Sequence, residues 1–551
     1  MKPRLLIIGL DGATPEFLFS LAQSGQLPHI RSLMQNGAHG KLRSTLPPLT
    51  PTAWTSFMTG VDPSSHGLFD FIELIPQHYE QSFANAHSRK KETIWSILHE
   101  AGLTIGLYNV PMTYPPEKLA SFVISGMDAP GKNSPFVYPP KLKRELIRRF
   151  NTIPFDLRHL GFMRNNKIRH KVIAEIIETE NLRLEIFQYL LEHYPADVAM
   201  IVFTATDTVQ HFFWHNSDPN HFWYPGPHSP FYKVVEQVYS SIDQVLGKML
   251  EHFNAPEECP VIIMSDHGFG PISKREFYPN RLLKRLGMLH LSGKKSSLFA
   301  HLDQFLRYFL PPHLKNELAA RLPRLRCWWE AQATAMGDFE WSKTKAFALE
   351  TLALPLGYYI HTKSRFPNGI VEDSQEYEQI VNQIQARLQE LNLRGYHKSE
   401  IYQGEFAEYA PDIIIDWWSE GLVMKRSFPC PEDSPEIVIK GEYPENRSYW
   451  SGTHRTDGVV ILSGSPFQSG TTLEDSSILD LAPTIFYLLG QNIPAHFEGR
   501  VLEQALASFS GIEKETRSNN GNASKIQKPQ RIYSEDEEEI IKNRLKSLGY
   551  L

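Results

Sequence analysis

The sequence predicts an α/β fold, with a central, mostly parallel sheet flanked by helices on both faces, a helical cap insertion and a C-terminal helix. Two observations carry this. First, the predicted strands are continuous apolar runs rather than alternating ones: LLIIGL (5–10), AMIVFTATD (199–207), PVIIMSD (260–266) and GVVILSG (458–464). Strands covered on both faces read this way. Second, these runs alternate with helical stretches of ten or more residues, the pattern of crossover connections over a parallel sheet.

From the N-terminus, LLIIGL is a buried first strand. The apolar run is too short for a secretory leader, and no small-residue cleavage pattern follows it. Helical segments follow from Thr14 and over Pro28 to Gln35. Residues 91–102 have a helical period and a glycine stop, and lead into the strand TIGLYNV. FVISGM (122–127) is a further strand. Residues 130–165, rich in Pro, Phe and Arg, read as an excursion over the sheet edge. Residues 139–150, 166–194 and 230–253 read as helices. This first part of the core spans 1–279. Residues 280–345 break the rhythm, being basic and aromatic around LRYFLPPHLKNELAARLPRLRCWWE, and read as a cap or lid. Residues 346–510 return to the core with the strands PDIIIDW (411–417) and GVVILSG and the helix SILDLAPTIFYLLG (477–490).

Residues 511–530 form a polar linker, and 531–551 a final helix. Ser534 and Glu537 are spaced as a capping box. Ile540, Ile541, Leu545 and Leu548 form its apolar stripe, with Gly549 as a stop. The helix is expected to dock on the body or on a second copy of the chain, so a homodimer is one expectation.

Composition narrows the function classes. At 551 residues the chain is too long for one simple core, and 41% hydrophobic and 12% aromatic content excludes global disorder. A net charge of −6 without a basic stripe gives no footprint for nucleic-acid binding. Cys259, Cys327 and Cys430 are odd in number and far apart, which fits a reducing, cytoplasmic setting. No stretch approaches the ~18 apolar residues of a transmembrane segment.

Four segments place ligand-type residues beside an apolar strand. LLIIGLDG gives Asp11, IVFTATDTVQH gives Asp207 and His211, VIIMSDHGFG gives Asp266 and His267, and SGTHRTDG gives His454. In an open α/β sheet the carboxyl ends of neighbouring strands open into one crevice. Each piece alone has an ordinary alternative: Asp11 as a helix cap, Asp207 and His211 as loop residues, His454 as a loop histidine. Together, three aspartates and three histidines in one crevice need a divalent metal to neutralise them. Mixed Asp/His ligation suits zinc, with manganese or iron as alternatives.

Thr50, followed by Pro51 at a favoured first helical position, starts a helical segment that runs to Gly60. A hydroxyl there sits beside free backbone N–H groups and the positive end of the helix dipole, a ready anion site. With a metal beside it, Thr50 is a nucleophile for phosphorus. Without one it is a simple N-cap. Thr52 is a second available hydroxyl.

The segments GLDGATPEFL, LPHIRSLMQNGAHGKLRST, PTAWTSFMTGVDPSSHGLFDF, TDTVQHFFWH, SDHGFG and GTHRTDGVVILSG…DLAPTIFYLLG resemble the alkaline phosphatase superfamily. Within it they are most similar to the type I phosphodiesterase/nucleotide pyrophosphatase-like group. The resemblance covers roughly 1–127, 196–290 and 400–505. It implies two metals, Asp11, Thr50, Asp266 and His267 around one and Asp207, His211 and His454 around the other. It also implies Thr50 as nucleophile, a phosphothreonine hydrolysed by water, and a small phosphate ester or nucleotide as substrate, diester or pyrophosphate in preference to monoester. His215 matches no ligand position.

The chain departs from the pattern at Ala53, where nucleotide pyrophosphatases carry an Asn three residues after the nucleophile, so nucleotide specificity does not carry over. The cysteine or serine frame of a sulfatase is absent. Lys274, Arg275 and Arg281 read either as grips for an anionic substrate or as solvated surface. Two rival readings use the same metal residues: a phosphomonoesterase or phosphosugar phosphotransferase, and a catalytically silent metal-bound scaffold.

Overall fold

The computed structural model describes residues 2–75, 79–119, 121–154, 163, 165–292, 339–350, 355–372, 374–428, 430, 431, 433–441, 449–509 and 532–548. The centre of the expected cap, the polar linker, Cys327 and Gly549 lie outside the described residues.

A nine-stranded sheet organises the molecule. Its order is Thr471–Ser477, Gly37–Arg43, Asp457–Ser463, Val261–Met264, Leu5–Leu10, Val198–Phe203, Ile105–Val110, Phe122–Ser125 and Val137–Tyr138. Neighbours are parallel except that Asp457–Ser463 runs antiparallel to both of its neighbours and Val137–Tyr138 antiparallel to Phe122–Ser125. The expected α/β fold is therefore the one observed, a mostly parallel sheet with helices on both faces.

The apolar runs follow from burial on two sides. Leu6, Ile8 and Leu10 enter one core, beneath the helices Pro15–Gln23, Pro28–Gln35, Asn166–His193 and Val234–Phe253. Leu5 and Ile7 enter the other, beneath Thr50–Thr59, Ile94–Glu100 and Leu481–Leu488. Burying each such side chain stabilises by about 1.5–3 kcal/mol, so a strand with no solvent face has no place for a polar residue until it ends.

Two strands differ from the sequence reading, and the C-terminal helix takes one of its two expected places. The strand read as 199–207 ends at Phe203, and Asp207 lies in the first turn of the helix Ala205–Ser217. Residues 411–417 do hold a strand, Ile413–Ile415, but it belongs to a separate four-stranded antiparallel sheet with Ala346–Ala348, Gly357–Ile360 and Gly395–His397. This sheet and the helix Gln375–Glu390 pack around a third core of their own. Finally, the helix Glu535–Leu548 docks on the body of its own chain, with Ile541 and Leu545 buried in the first core but Ile540 exposed. Its capping box is formed, Ser534 N donating to Glu537 Oε2 at 2.9 Å and Glu537 N to Ser534 Oγ at 3.3 Å.

Candidate active site

Four chain segments meet at the carboxyl ends of the central strands. Asp11 follows Leu5–Leu10 directly, and its N–H donates to Phe203 O at 2.9 Å. The turn continues through Gly12 at φ +66°, where a Cβ would stand 3.1 Å from the Asp207 Cα. Only glycine fits both the left-handed backbone and that close approach. Gly12 N donates to Asp266 Oδ1 at 3.1 Å, so one turn holds three carboxylates together. Asp11 is not a helix cap: the helix Pro15–Gln23 has Thr14 at that position.

Asp207 and His211 stand one turn apart on Ala205–Ser217. His454 arrives from the far end of the chain on a two-stranded ribbon in which Gly452–Arg455 pairs antiparallel with Gly268–Pro271, setting His454 opposite Phe269. The outcome is a tight triangle. His211 Nε2 lies 3.1 Å from His454 Nε2 and 3.3 Å from Asp207 Oδ1, and His454 Nε2 lies 3.4 Å from Asp207 Oδ1. Beside it, His267 Nε2 lies 3.2 Å from Asp266 Oδ2 and 3.8 Å from Asp11 Oδ1.

Thr50 is the first residue of the helix Thr50–Thr59, after Leu49 as N-cap, and it is fully buried. It is not itself the N-cap; instead its Oγ1 lies 3.3 Å from His267 Nε2. Pro51 follows in the first turn, where a missing N–H removes no intrahelical bond. Thr52 Oγ1 donates to Leu49 O at 3.0 Å, which turns it back into the helix.

All three imidazoles are oriented alike. Nδ1 faces a backbone carbonyl in each: Gly452 O for His211 at 3.3 Å, Gly268 O for His267 at 3.1 Å, and Pro48 O for His454 at 2.9 Å. A proton on Nδ1 leaves the Nε2 lone pair for the centre, as in metal-bound histidines. Burial holds His267 and His454 below the ordinary histidine range, hence neutral.

The three carboxylates differ in how their surroundings treat the charge. Burial, then the charges of Asp266 and Asp207, push the Asp11 carboxyl well up; burial, then Asp207, does the same to Asp266. Burial also acts on Asp207, but His211 and His454 outweigh it and hold its carboxyl low. Asp11 Oδ1 and Asp266 Oδ2 are buried and make no hydrogen bond among the described residues. Leaving such atoms unsatisfied is costly. Ligand atoms of Asp11, Asp266 and His267 lie within 4.8 Å of one another, as do those of Asp207, His267 and His454. The donor set therefore fits a divalent metal site.

The other sequence candidates lie elsewhere in the structure. His215 sits a turn beyond His211, 6.0 Å from the His221 ring, and burial holds it at about 3. Arg275 donates to the Leu391 and Asn392 carbonyls and Arg281 to those of Ser427 and Pro435, while Lys274 stands over the Phe222 ring. These contacts engage them in packing.

Three supporting residues carry no ligand signal in the sequence. Trp54 Nε1 donates to Asp11 Oδ2 at 3.4 Å. Gln210 Nε2 donates to Gly12 O and Thr206 O, both at 2.8 Å, and its Oε1 accepts from Tyr239 at 3.1 Å. Trp450 stacks on His211, with centroids 3.7 Å apart and planes at 22°. Gln210 sits inside the legible Asp207–His211 motif, whereas nothing local marks Trp450.

A model of the type I phosphodiesterase/nucleotide pyrophosphatase family matches residues 5–417. The comparison with curated proteins found no match. Among solved structures, phosphonoacetate hydrolase from Sinorhizobium meliloti, in complex with phosphonoformate, is similar at 14% identity over 89% of this chain and 96% of that one, with a TM-score of 0.51. Human ectonucleotide pyrophosphatase/phosphodiesterase 5 is similar at 15% identity over 92% of this chain and 100% of that one, with a TM-score of 0.49.

Proposed function

Because the chain belongs to the type I phosphodiesterase/nucleotide pyrophosphatase family, and is thus a hydrolase of phosphoester or pyrophosphate bonds, we propose that Thr50 is its nucleophile and that it works with two divalent cations, zinc or manganese. Asp11, Thr50, Asp266 and His267 would hold one, and Asp207, His211 and His454 the other. The observation that carries this is the meeting of Asp207 Oδ1, His211 Nε2 and His454 Nε2 within 3.1–3.4 Å, beside a Thr50 hydroxyl 3.3 Å from His267. Such cations supply Lewis acidity toward phosphoryl oxygens and lower the pKa of a bound hydroxyl.

The chain's own residues do the rest. The first-turn N–H groups of the helix Thr50–Thr59 face the phosphate oxygens. Thr50 Oγ attacks phosphorus as the bond to the leaving oxygen breaks, its proton passing through solvent to that oxygen, giving a phosphothreonine. Water then adds to phosphorus, the Oγ–P bond breaks and the hydroxyl is restored. Buried Asp11 and Asp266 keep their places through the Gly12 turn. The substrate in this reading is a small phosphodiester or pyrophosphate.

The same reading sets the enzyme in the reducing cytoplasm, which the unpaired thiols of Cys259 and Cys430 support. No described helix is long and apolar enough to cross a membrane.

The test is metal analysis of the purified protein, then hydrolysis of bis-p-nitrophenyl phosphate against p-nitrophenyl phosphate with added Zn²⁺ or Mn²⁺, and mass spectrometry of the quenched enzyme. Two cations, diester preference and a phosphorylated Thr50 are expected. Monoester preference would move the enzyme to the phosphatase branch, and label on another residue would remove Thr50 from its role.

A further inference from the structure

Trp450 has a second contact. While its ring lies on His211, its indole N–H donates to Leu548 O at 3.1 Å, the carbonyl at the end of the tail helix Glu535–Leu548. The last carbonyls of a helix have no partner within it, so this one is a free acceptor that the indole satisfies. The tail is firmly held. The Arg544 guanidinium donates to the carbonyls of Met127, Ala129 and Pro130, and Tyr533 donates to Asp128 O at 3.1 Å with its ring stacked on Tyr114. Ile541 and Leu545 are buried beneath it.

The residues next to Trp450 grip the same histidine. Ser451 N donates to His211 O at 2.7 Å, and Gly452 O faces His211 Nδ1. His211 is thus fixed by ring stacking on one side and by backbone on another, and the tail helix holds the stacking ring at its N–H edge.

We propose that the C-terminal helix positions His211 through Trp450, so that the end of the chain sets the geometry of the Asp207–His211–His454 site. This rests on the reading of His211 as a metal ligand. Trp450 is a positioning residue, and Arg544, remote from the cluster, anchors it.

The experiment compares wild type with Trp450→Phe, Trp450→Ala and Arg544→Ala, each loaded with Zn²⁺ and titrated with a chromogenic chelator that counts two cations separately. Melting of the metal-free proteins is followed in parallel. Phenylalanine keeps the stack but loses the donor. Trp450→Phe and Arg544→Ala are expected to weaken one cation roughly tenfold and Trp450→Ala roughly a hundredfold, the other cation keeping its wild-type affinity. Wild-type affinity for both cations, even with a lowered melting temperature, would make the tail a brace alone and overturn the proposal. Equal weakening of both would do the same. If Arg544→Ala does not fold, Trp450→Phe decides. Fewer than two cations on wild type would overturn the reading of the site itself.

Discussion

Trp54 lies over Gly9 so closely that a Cβ on the glycine would stand 2.5 Å from the indole ring, and the same indole donates its N–H to Asp11. The missing side chain of one residue thus fixes the group that holds a candidate ligand two residues on. Gly9→Ala is expected to destabilise the protein by about 1–3 kcal/mol through overpacking and to reduce turnover by displacing Trp54. Trp54→Phe, which removes both the donor and the ring atoms over Gly9, should weaken cation binding and lower stability by about 1–3 kcal/mol. Urea midpoints and metal titration separate the two effects; equal midpoints for Gly9→Ala and wild type would refute the packing argument.

Thr50→Ala should lower turnover by roughly a thousandfold or more while metal content stays near that of wild type. Thr52→Ala, which removes only a hydrogen bond to Leu49 O, should keep activity within about tenfold and cost about 1 kcal/mol of stability. Steady-state kinetics on the diester, with metal analysis of both variants, checks this. A reversed order would make Thr52 the nucleophile.

His454 closes the triangle with Asp207 and His211. His454→Ala should release one of two cations and with it most of the activity. Exhaustive chelation of wild type should abolish turnover, and Zn²⁺ or Mn²⁺ should restore it. Unchanged metal content in His454→Ala would remove that residue from the ligand set.

Gln210 ties the Gly12 turn to the helix Ala205–Ser217. Gln210→Ala leaves the Gly12 carbonyl without its donor, and cation affinity is expected to drop about 10–100-fold, as for other residues that orient metal ligands. Tyr239→Phe, which removes only the hydroxyl behind it, should give a smaller drop. Equal affinities in all three proteins would show that the turn holds itself.

Asp128 gives a pH dependence away from the cluster. It is buried and accepts from Met112 N at 3.0 Å and Tyr114 N at 2.6 Å, and burial raises its carboxyl to about 6 from an ordinary 3.8. The folded protein therefore holds this proton more tightly than the unfolded chain. The associated stabilisation, on the order of 3 kcal/mol, is fully present below about pH 4 and is lost as the pH rises through about 6. Asp128→Asn should flatten that stretch of the profile in urea unfolding between pH 4 and 7. A slope equal to that of wild type would assign the change to another group.

Much of this was legible because burial leaves a mark on local sequence. Leu5–Leu10 reads as a strand since both of its faces are covered, and Asp11 and Asp266 stand out because they end such runs. Gly37–Arg43 escaped for the opposite reason. A Cβ on Gly37 would stand 2.1 Å from Leu462 O and one on Gly40 2.5 Å from Leu473 O. Close backbone approach took the side chains that would have marked it. Thr471–Ser477, at the sheet edge, is polar and buries only Leu473 and Ser476, so it carries no apolar run. The isoleucines 413–415 announce a strand but not its partners, since periodicity holds no information about which sheet receives it. Within the site, the closeness of Asp207 and His211 was readable from their i, i+4 spacing. Trp450 was not, because its contacts with His211 and Leu548 are made across the chain.

His211 and His454 meet although they lie 243 positions apart. A ribosome making this protein therefore releases Asp11, Thr50, Asp207, His211 and Asp266 well before the histidine that completes the triangle. Nascent chains and prematurely terminated products that stop short of His454 therefore carry Thr50 and the other two corners of the triangle without its third.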